Sequence, residues 1–394
     1  MTCYAIIAGG GTSGHVLPAL AVAESILETG HSRDEVVYFG TLRGIETKLV
    51  PPTGLSLHLF DVNGLKREFS TSACWNNLLF APKLIRSSWQ AWKLLKHLRP
   101  RVVVSVGGYA SLPAVIGARV LRIPVVVITY DRTPGRSSAI TSRFAAAVAS
   151  AFPDSPLPRS QFTGAPVRRE IRTLVRREDR VAARERLGID SERFCVGVIG
   201  GSLGSGVLNA AIQDFAKERM NDRGLAIRHV VGERFIDSYR DSLMAAGVPF
   251  VKVDGKGVPT RPEHGESGLQ YQIIGYEEDM ASMYAAVDVI VGRGGAGTVA
   301  EVAVTGTPAV LIPWAQAADD HQTANVRWLA DNGGAVFLSE DSCRQELSNV
   351  LTSLQQVPES REQLGQQAYA LGEKNRVGAI AALIESVALP QVAP

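Results

Sequence analysis

One pattern occurs twice along this chain and limits its possible folds more than any other feature: residues 4–27 and 194–215 both read as strand, glycine-rich loop, helix. The first copy is Tyr4–Ala8, then Gly9-Gly-Gly-Thr-Ser-Gly14, then a helical run through Leu20 and Ile26. The second is Phe194–Ile199, then Gly200-Gly-Ser-Leu-Gly-Ser-Gly206, then Val207 to Phe215. After each start, short apolar strands alternate with helix-length segments, the signature of parallel βαβ construction. Strands are predicted near 36–39, 102–106, 125–128 and 146–149 in the first half, and near 226–231, 250–253, 287–291, 309–312 and 335–337 in the second. A repeat this long means two similar domains rather than a solenoid. The length of 394 residues agrees, since one core rarely serves so long a chain. The boundary is predicted between 152 and 192, where Phe152-Pro-Asp-Ser-Pro-Leu-Pro158 breaks regular structure and Arg168–Arg186 is densely charged, dividing the chain into 1–165 and 166–394. Two such domains make a cleft, and open α/β sheets bind ligands beyond the carboxyl ends of their strands.

Charge and cysteine usage remove several function classes. A net charge of +2 gives no reason to expect nucleic acid as a partner. Cys3, Cys74, Cys195 and Cys343 stand far apart without metal-type spacing and read as reduced thiols of a cytoplasmic protein. The opening run Tyr4–Ala8 is too short for a signal peptide. No stretch reaches the roughly 20 apolar residues that span a bilayer, so any membrane contact is expected to be peripheral. The segment Trp75–Leu98 interleaves Trp75, Leu78, Leu79, Phe80, Trp89 and Trp92 with Lys83, Arg86, Lys93, Lys96 and Arg99 just beyond it. That mixture suits the headgroup boundary of an anionic membrane, and it equally suits a helix packed on its own domain. Asp254–Gly268, rich in glycine, proline and charge, reads as a mobile loop.

Gly9-x-Gly11-x-x-Gly14 has the spacing of a dinucleotide fingerprint. A nicotinamide enzyme also needs an acid at the end of the second strand to bind ribose, and here that strand ends at Phe39-Gly40-Thr41. What survives is a loop whose backbone can approach an anionic ligand at a helix start, with His15 beside it as a reactive group or as a local packing residue. Gly292-Arg-Gly-Gly-Ala-Gly-Thr-Val-Ala-Glu301 is more specific. It follows a predicted strand, exposes amides suited to a pyrophosphate, and sets Glu301 where a carboxylate can accept bonds from ribose hydroxyls. The bland alternative makes Glu301 a favourable charge in the first helical turn. Asp319-Asp-His-Gln-Thr-Ala-Asn325 crowds groups suited to sugar hydroxyls at another helix start. Its two aspartates read as a helix cap or, with His321, as a metal site. Gly107-Gly-Tyr-Ala-Ser111 ends a buried strand and reads as a further ligand loop or as an ordinary turn.

In this order the motifs resemble the MurG family, peripheral membrane enzymes that move N-acetylglucosamine from UDP onto the undecaprenyl-linked muramyl-pentapeptide precursor of peptidoglycan. The residues that carry the resemblance are Gly9–His15 with Pro18–Ala23, Gly107–Ser111, Thr163–Arg168, Gly200–Gly204 with Asn209, Glu278–Met280, Gly294–Glu301, and His321, Gln322 and Asn325. The resemblance implies the GT-B architecture: two Rossmann-like, doubly wound parallel-sheet domains facing a cleft, with a C-terminal helix that returns to the N-terminal domain. It implies UDP-N-acetylglucosamine as donor, lipid-linked muramyl-pentapeptide as acceptor, an anionic membrane surface as partner, and neither metal nor cofactor. Carried over by position, Ser202 and the amides of Ala296, Gly297 and Thr298 hold the diphosphate with Arg168 nearby. Backbone at Tyr276 and Glu277 reads uracil, Glu301 the ribose, and His321 and Gln322 the sugar, while Arg293 lines the nucleotide pocket. Thr12, Ser13, Gly14, Gly107, Gly108 and Tyr109 face the acceptor.

One departure stands out. Where the family commonly shows Glu-Gln-Asn before a Pro-Gly, this chain has Thr129-Tyr-Asp-Arg-Thr-Pro-Gly135, so Asp131 takes the asparagine position with Arg132 beside it. His15 is the first candidate for the general base of an inverting displacement and Asp131 the second. The rival readings are a related transferase with another acceptor, a UDP-sugar epimerase or hydrolase, and a non-catalytic sensor or scaffold.

Overall fold

The computed structural model describes residues 3–62, 64, 80–253 and 268–390. The chain forms two compact units, one comprising residues 1–169 with 374–394 and the other 170–373. The crossing at Arg169 and Glu170 falls inside the predicted linker, and the C-terminal segment, counted with 166–394 in the sequence division but expected to send a helix back to the first domain, groups with the first unit. The reason is apolar burial. Ile380, Leu383 and Ile384 of the helix Ala379–Val387 enter the same core cluster as Val16, Leu20 and Ala23 of the helix Ser13–Glu28.

The first unit carries β1 (Ala5–Ala8), β2 (Val36–Thr41), β3 (Ser56–Phe60), β4 (Val102–Ser105), β5 (Val125–Thr129), β6 (Ala147–Ser150) and β7 (Ser160–Phe162) in one sheet ordered β3-β2-β1-β4-β5-β6-β7. Every pairing is parallel. The central strands are short, β-branched and buried throughout, as strands covered by helices on both faces must be. Alternation sorts them: Ala5 and Ile7 enter one core with Val102 and Val104, and Ile6 and Ala8 the other with Val103. The strand order reverses between β1 and β4, which brings the glycine loops after both strands to a single crevice.

The second unit repeats the plan with β8 (Phe194–Ile199), β9 (Leu225–Val230), β10 (Val251–Lys252), β11 (Gln270–Ile274), β12 (Val289–Gly292), β13 (Ala309–Leu311) and β14 (Val336–Phe337), ordered β10-β11-β9-β8-β12-β13-β14. Its reversal lies between β8 and β12, so the loops after those strands share the second crevice. Three strands escaped the sequence reading. β3 and β7 lie at sheet edges with part of their surface exposed, and β11 carries the polar residues Gln270 and Gln272, so none shows a plain apolar run.

A buried polar chain runs through the second unit. Asn209 donates from Nδ2 to the Val231 carbonyl (3.2 Å), which leaves its Oδ1 to accept from His229 Nε2 (3.0 Å). His229 Nδ1 must then accept from the Tyr271 hydroxyl (2.9 Å), which accepts from Tyr239 (2.7 Å). Burial pushes the imidazole down to about 3. The folded value lies below the ordinary one, so the neutral ring contributes fully above about pH 6.5, and the contribution erodes as pH falls toward 3, by at most about 1.4 kcal/mol per pH unit. The urea midpoint of the full chain, followed from pH 6.5 to 4.5, is expected to fall less steeply in His229→Gln than in the parent; equal slopes would place the acid sensitivity elsewhere.

Candidate functional site

In the first unit, β1 runs into Gly9 and the helix Ser13–Glu28, whose N-cap Thr12 makes no side-chain capping bond and leaves first-turn amides without a side-chain partner. Thr12 and Gly14 are exposed and Ser13 is half-buried. A carboxylate missed by the sequence reading shapes this loop. Glu46 is fully buried and accepts from the Gly11 amide (2.9 Å), the Thr41 amide (2.6 Å) and the Thr41 hydroxyl (2.8 Å). Glycine is required around it, because a Cβ at Gly10 would stand 2.2 Å from Oε1 and one at Gly44 1.9 Å from Oε2. A dinucleotide pyrophosphate at Gly11 would meet this carboxylate on the amide it needs, a second physical reason to set the nicotinamide reading aside. The sequence signal was an acid five residues past the end of β2, in a glycine-rich turn.

His15 is half-buried beside the loop that follows β4. Gly107 and Gly108 adopt positive φ (88° and 71°), which lets main chain lie against the ring: a Cβ on Gly108 would stand 3.2 Å from His15 Cδ2. His15 Nδ1 is hydrogen-bonded to the Tyr130 hydroxyl, which also reaches the Val106 carbonyl (3.5 Å). Burial lowers the imidazole from its ordinary value, against the opposing charges of Asp131 and Glu46 and the Val106 carbonyl. Asp131 is therefore part of the same cluster, as the sequence order anticipated. Arg132 pairs with Asp154 (2.6 Å), while the charges of Asp131 and Glu46 act on His15. Tyr109 stacks edge-on against Phe80, with ring centroids 5.7 Å apart. Arg168, grouped with the donor residues from sequence, belongs to the first unit, and the adjacent Arg169 amide donates to Glu24 of the helix Ser13–Glu28 (2.9 Å).

In the second unit the loops after β8, β12 and β13 meet. The helix Ala296–Thr305 begins after Gly295 without a side-chain cap, so the amides at Ala296, Gly297 and Thr298 have no capping side chain. Glu301 lies beyond the first turn, which excludes the reading of a first-turn charge. Its Oε2 accepts from the buried Tyr284 hydroxyl (2.9 Å), which orients the carboxylate. Gln322 Oε1 accepts from the Trp314 amide (3.0 Å), turning its amide donors outward, and Asn325 Nδ2 donates to the Gly294 carbonyl (3.3 Å). His321 Nδ1 lies 2.7 Å from the Ala318 carbonyl; since a carbonyl only accepts, Nδ1 carries hydrogen and donates. Asp319 and Asp320 take left-handed backbone (φ 56° and 49°), and Asp320, at the N-cap of the helix His321–Ala330, makes no side-chain capping bond. Ser202 is exposed on its loop. Tyr276 is exposed, and the Glu277 carboxylate is buried against Arg228 (2.7 Å), so that side chain is spent on the fold.

Arg293 differs from its expected place. It is buried, with Nη1 on the Ile312 and Pro313 carbonyls (3.2 and 3.3 Å) and Nη2 on the Ser205 hydroxyl (2.7 Å) and Glu340 (2.5 Å). Rather than lining a ligand pocket, it ties three loops together. The sequence placed a cation in the glycine loop but showed nothing of its distant partner Glu340.

The chain matches the Glycosyltransferase family 28 N-terminal domain over residues 5–150 and the Glycosyltransferase family 28 C-terminal domain over residues 195–381. It is 32% identical to the UDP-N-acetylglucosamine–N-acetylmuramyl-(pentapeptide) pyrophosphoryl-undecaprenol N-acetylglucosamine transferase of Moorella thermoacetica, over 97% of each chain. A protein of the same name from Myxococcus xanthus is 34% identical over 93% of this chain and 88% of its own. The crystal structure of Acinetobacter baumannii MurG superposes with a TM-score of 0.70 at 25% identity, covering 98% of this chain and 99% of that one. This chain belongs to the MurG family. Its fold is accordingly GT-B, and it is a glycosyltransferase. For fold alone, the MurG-family chain also resembles Anabaena Alr3699/HepE in complex with UDP and glucose, at a TM-score of 0.59 and 13% identity over 98% of this chain and 99% of that one.

Proposed function

We propose that this MurG-family chain transfers N-acetylglucosamine from UDP-N-acetylglucosamine to the lipid-linked muramyl-pentapeptide acceptor, with inversion. The observation that carries the reading is identity of 32–34% to proteins of that name along nearly the whole chain. The donor diphosphate sits at the start of the helix Ala296–Thr305, with Ser202 as a further donor, where amides of the first turn stabilise the charge that develops as UDP leaves. Backbone at Tyr276 and Glu277 reads the base. Glu301 receives the ribose hydroxyls, and the outward amide of Gln322 with Nε2 of His321 holds the sugar. On the acceptor side, Thr12, Ser13, Gly14, Gly107, Gly108 and Tyr109 surround His15. The acceptor oxygen forms its bond to the anomeric carbon while the bond to the diphosphate breaks and its electron pair leaves with UDP. The hydroxyl proton passes to His15. A ring held below its ordinary value by burial is neutral at pH 7 and ready to accept.

The test is UDP release from UDP-N-acetylglucosamine with and without a short-chain lipid-linked muramyl-pentapeptide, in a chelator. Acceptor-dependent release yielding a disaccharide supports the reading. Free sugar or epimer formed without acceptor would sink it in favour of a hydrolase or epimerase.

The enzyme works on the cytoplasmic face of the cell membrane as a peripheral protein. Among the described residues no helix is long and apolar enough to cross a bilayer. Residues 75–79 of the aromatic-basic stretch, like 254–267 of the glycine-rich stretch, lie outside the described residues. In the helix Phe80–Leu98, Ile85 (71% exposed) and Trp89 (53%) face outward, with Lys93 3.5 Å over the Trp89 ring. The neighbouring helix Leu112–Leu121 adds exposed Ile116 and Val120. Burying each large side chain in a bilayer is worth about 1.5–3 kcal/mol, so Ile85→Ser/Trp89→Ser should weaken binding to anionic vesicles by more than about tenfold. Vesicle sedimentation measures it; unchanged binding would remove this face from the membrane reading.

A further inference from the structure

We propose that Tyr130 is a positioning residue of the transfer reaction, its phenol holding His15 in the single neutral tautomer that leaves Nε2 free to take the acceptor's proton. The proposal rests on His15 as the base, and it concerns a residue to which the sequence reading gave no role, Tyr130 beside Asp131.

The geometry is directional. The Tyr130 ring packs against the core of the first unit, so its hydroxyl is delivered to a fixed point at the end of β5. There it meets two groups, His15 Nδ1 and the Val106 carbonyl. A carbonyl can only accept, and the phenol has one proton. When that proton goes to Val106, the phenol oxygen is left as an acceptor, and the nitrogen facing it must carry hydrogen. That demand is met by Nδ1–H, and Nε2 then keeps its lone pair on the edge that lies against Gly108. Deprotonation of the phenol does not compete, because burial and the nearby Asp131 and Tyr38 raise it well above its ordinary value.

The charged and titratable groups around the ring are Asp131 after β5 and Glu46 of the helix Glu46–Leu49, with Tyr130 itself. The Ser138 hydroxyl of the helix Arg136–Thr141 stands 3.6 Å from the Cβ position of Gly107 and adds no charge. Asp131 and Glu46 favour the imidazolium that forms when the proton arrives, and the phenol accepts from Nδ1–H in both the neutral and charged ring. The tyrosine therefore selects the tautomer at rest and still has its bond after proton transfer.

The experiment uses the full-length protein with 15N-labelled histidine, Tyr130→Phe, and His15→Gln to assign the resonance. The ring 15N shifts are expected to report Nδ1–H for His15 in the parent at pH 8 and a mixture of tautomers in Tyr130→Phe. In the same variant kcat is expected to fall about 10- to 100-fold, part of the 10²–10⁴-fold that a positioned base contributes, with the donor KM unchanged. The acidic limb of the kcat profile should move to lower pH, because the imidazolium loses an acceptor. Nε2–H in the parent, or a Tyr130→Phe protein with parental tautomer and kcat, would overturn the proposal. Parental turnover in His15→Gln would instead remove the base reading on which the catalytic part rests, while the 15N shifts still decide the tautomer.

Discussion

Turnover of His15→Ala is expected to fall by about 10²- to 10⁴-fold at pH 7.5, the contribution of a positioned general base, with donor affinity unchanged. The loss belongs to kcat because His15 lies in the first unit, on the loop between β1 and its helix, whereas the candidate donor loops follow β8, β12 and β13 in the second. Asp131 is the competing base, since its charge acts on the same imidazole. The two assignments separate cleanly. If His15→Ala retains parental kcat while Asp131→Asn abolishes it, the proton goes to the carboxylate, and His15 becomes a packing residue. If both fall, with Asp131→Asn losing less and shifting the acidic limb toward lower pH, Asp131 tunes the imidazole. The sign follows from charge: removing an anion that favours imidazolium lowers the histidine further.

Replacing Arg293 by leucine is expected to destabilise the protein by about 3–5 kcal/mol, the cost of breaking one partner out of a buried ion pair. The guanidinium and Glu340 are both largely removed from water, with side-chain exposures of 10% and 14%. Its loss leaves Glu340 with the Ala315 amide (2.9 Å) but no counter-ion, and deprives the Ile312 and Pro313 carbonyls and the Ser205 hydroxyl of a donor. Urea denaturation of the full chain measures the change, and Arg293→Leu/Glu340→Leu should recover most of it, since two apolar side chains leave no orphaned charge. A single variant as stable as the parent would mean that the loops after β8, β12 and β13 hold together without this brace. Donor KM is expected to rise in the single variant, because Ser205 caps the helix Gly206–Glu218 beside the Ser202 loop.

How much of this was legible depended on range along the chain. The paired glycine loops, the strands of β-branched residues and the helix starts are local patterns, and each was read correctly from residue order. Glu301 could be singled out from sequence because it lies within ten residues of the strand that precedes its helix. Glu46 was missed because its meaning depends on Gly11, 35 residues earlier, folding back onto its carboxylate. Tyr130 was passed over in favour of its neighbour Asp131, since nothing in the order of residues tells that the phenol points to a histidine 115 positions away. Arg293 was given a ligand because its partner Glu340 lies 47 residues on, and a cation in a glycine loop looks the same whether its charge is spent on a substrate or on the protein.

The sequence alone laid out the double Rossmann-like plan, because hydrophobic period, glycine spacing and helix starts are written in neighbouring residues, and the order of its motifs carried the resemblance to the transferase family. Only the tertiary structure decided which polar groups are already satisfied. Hydrogen bonds and ion pairs between distant segments assign each donor one acceptor at a time, so Arg293 and the Glu277 carboxylate are spent on the fold, while the amides at Ala296–Thr298 begin a helix with no capping side chain.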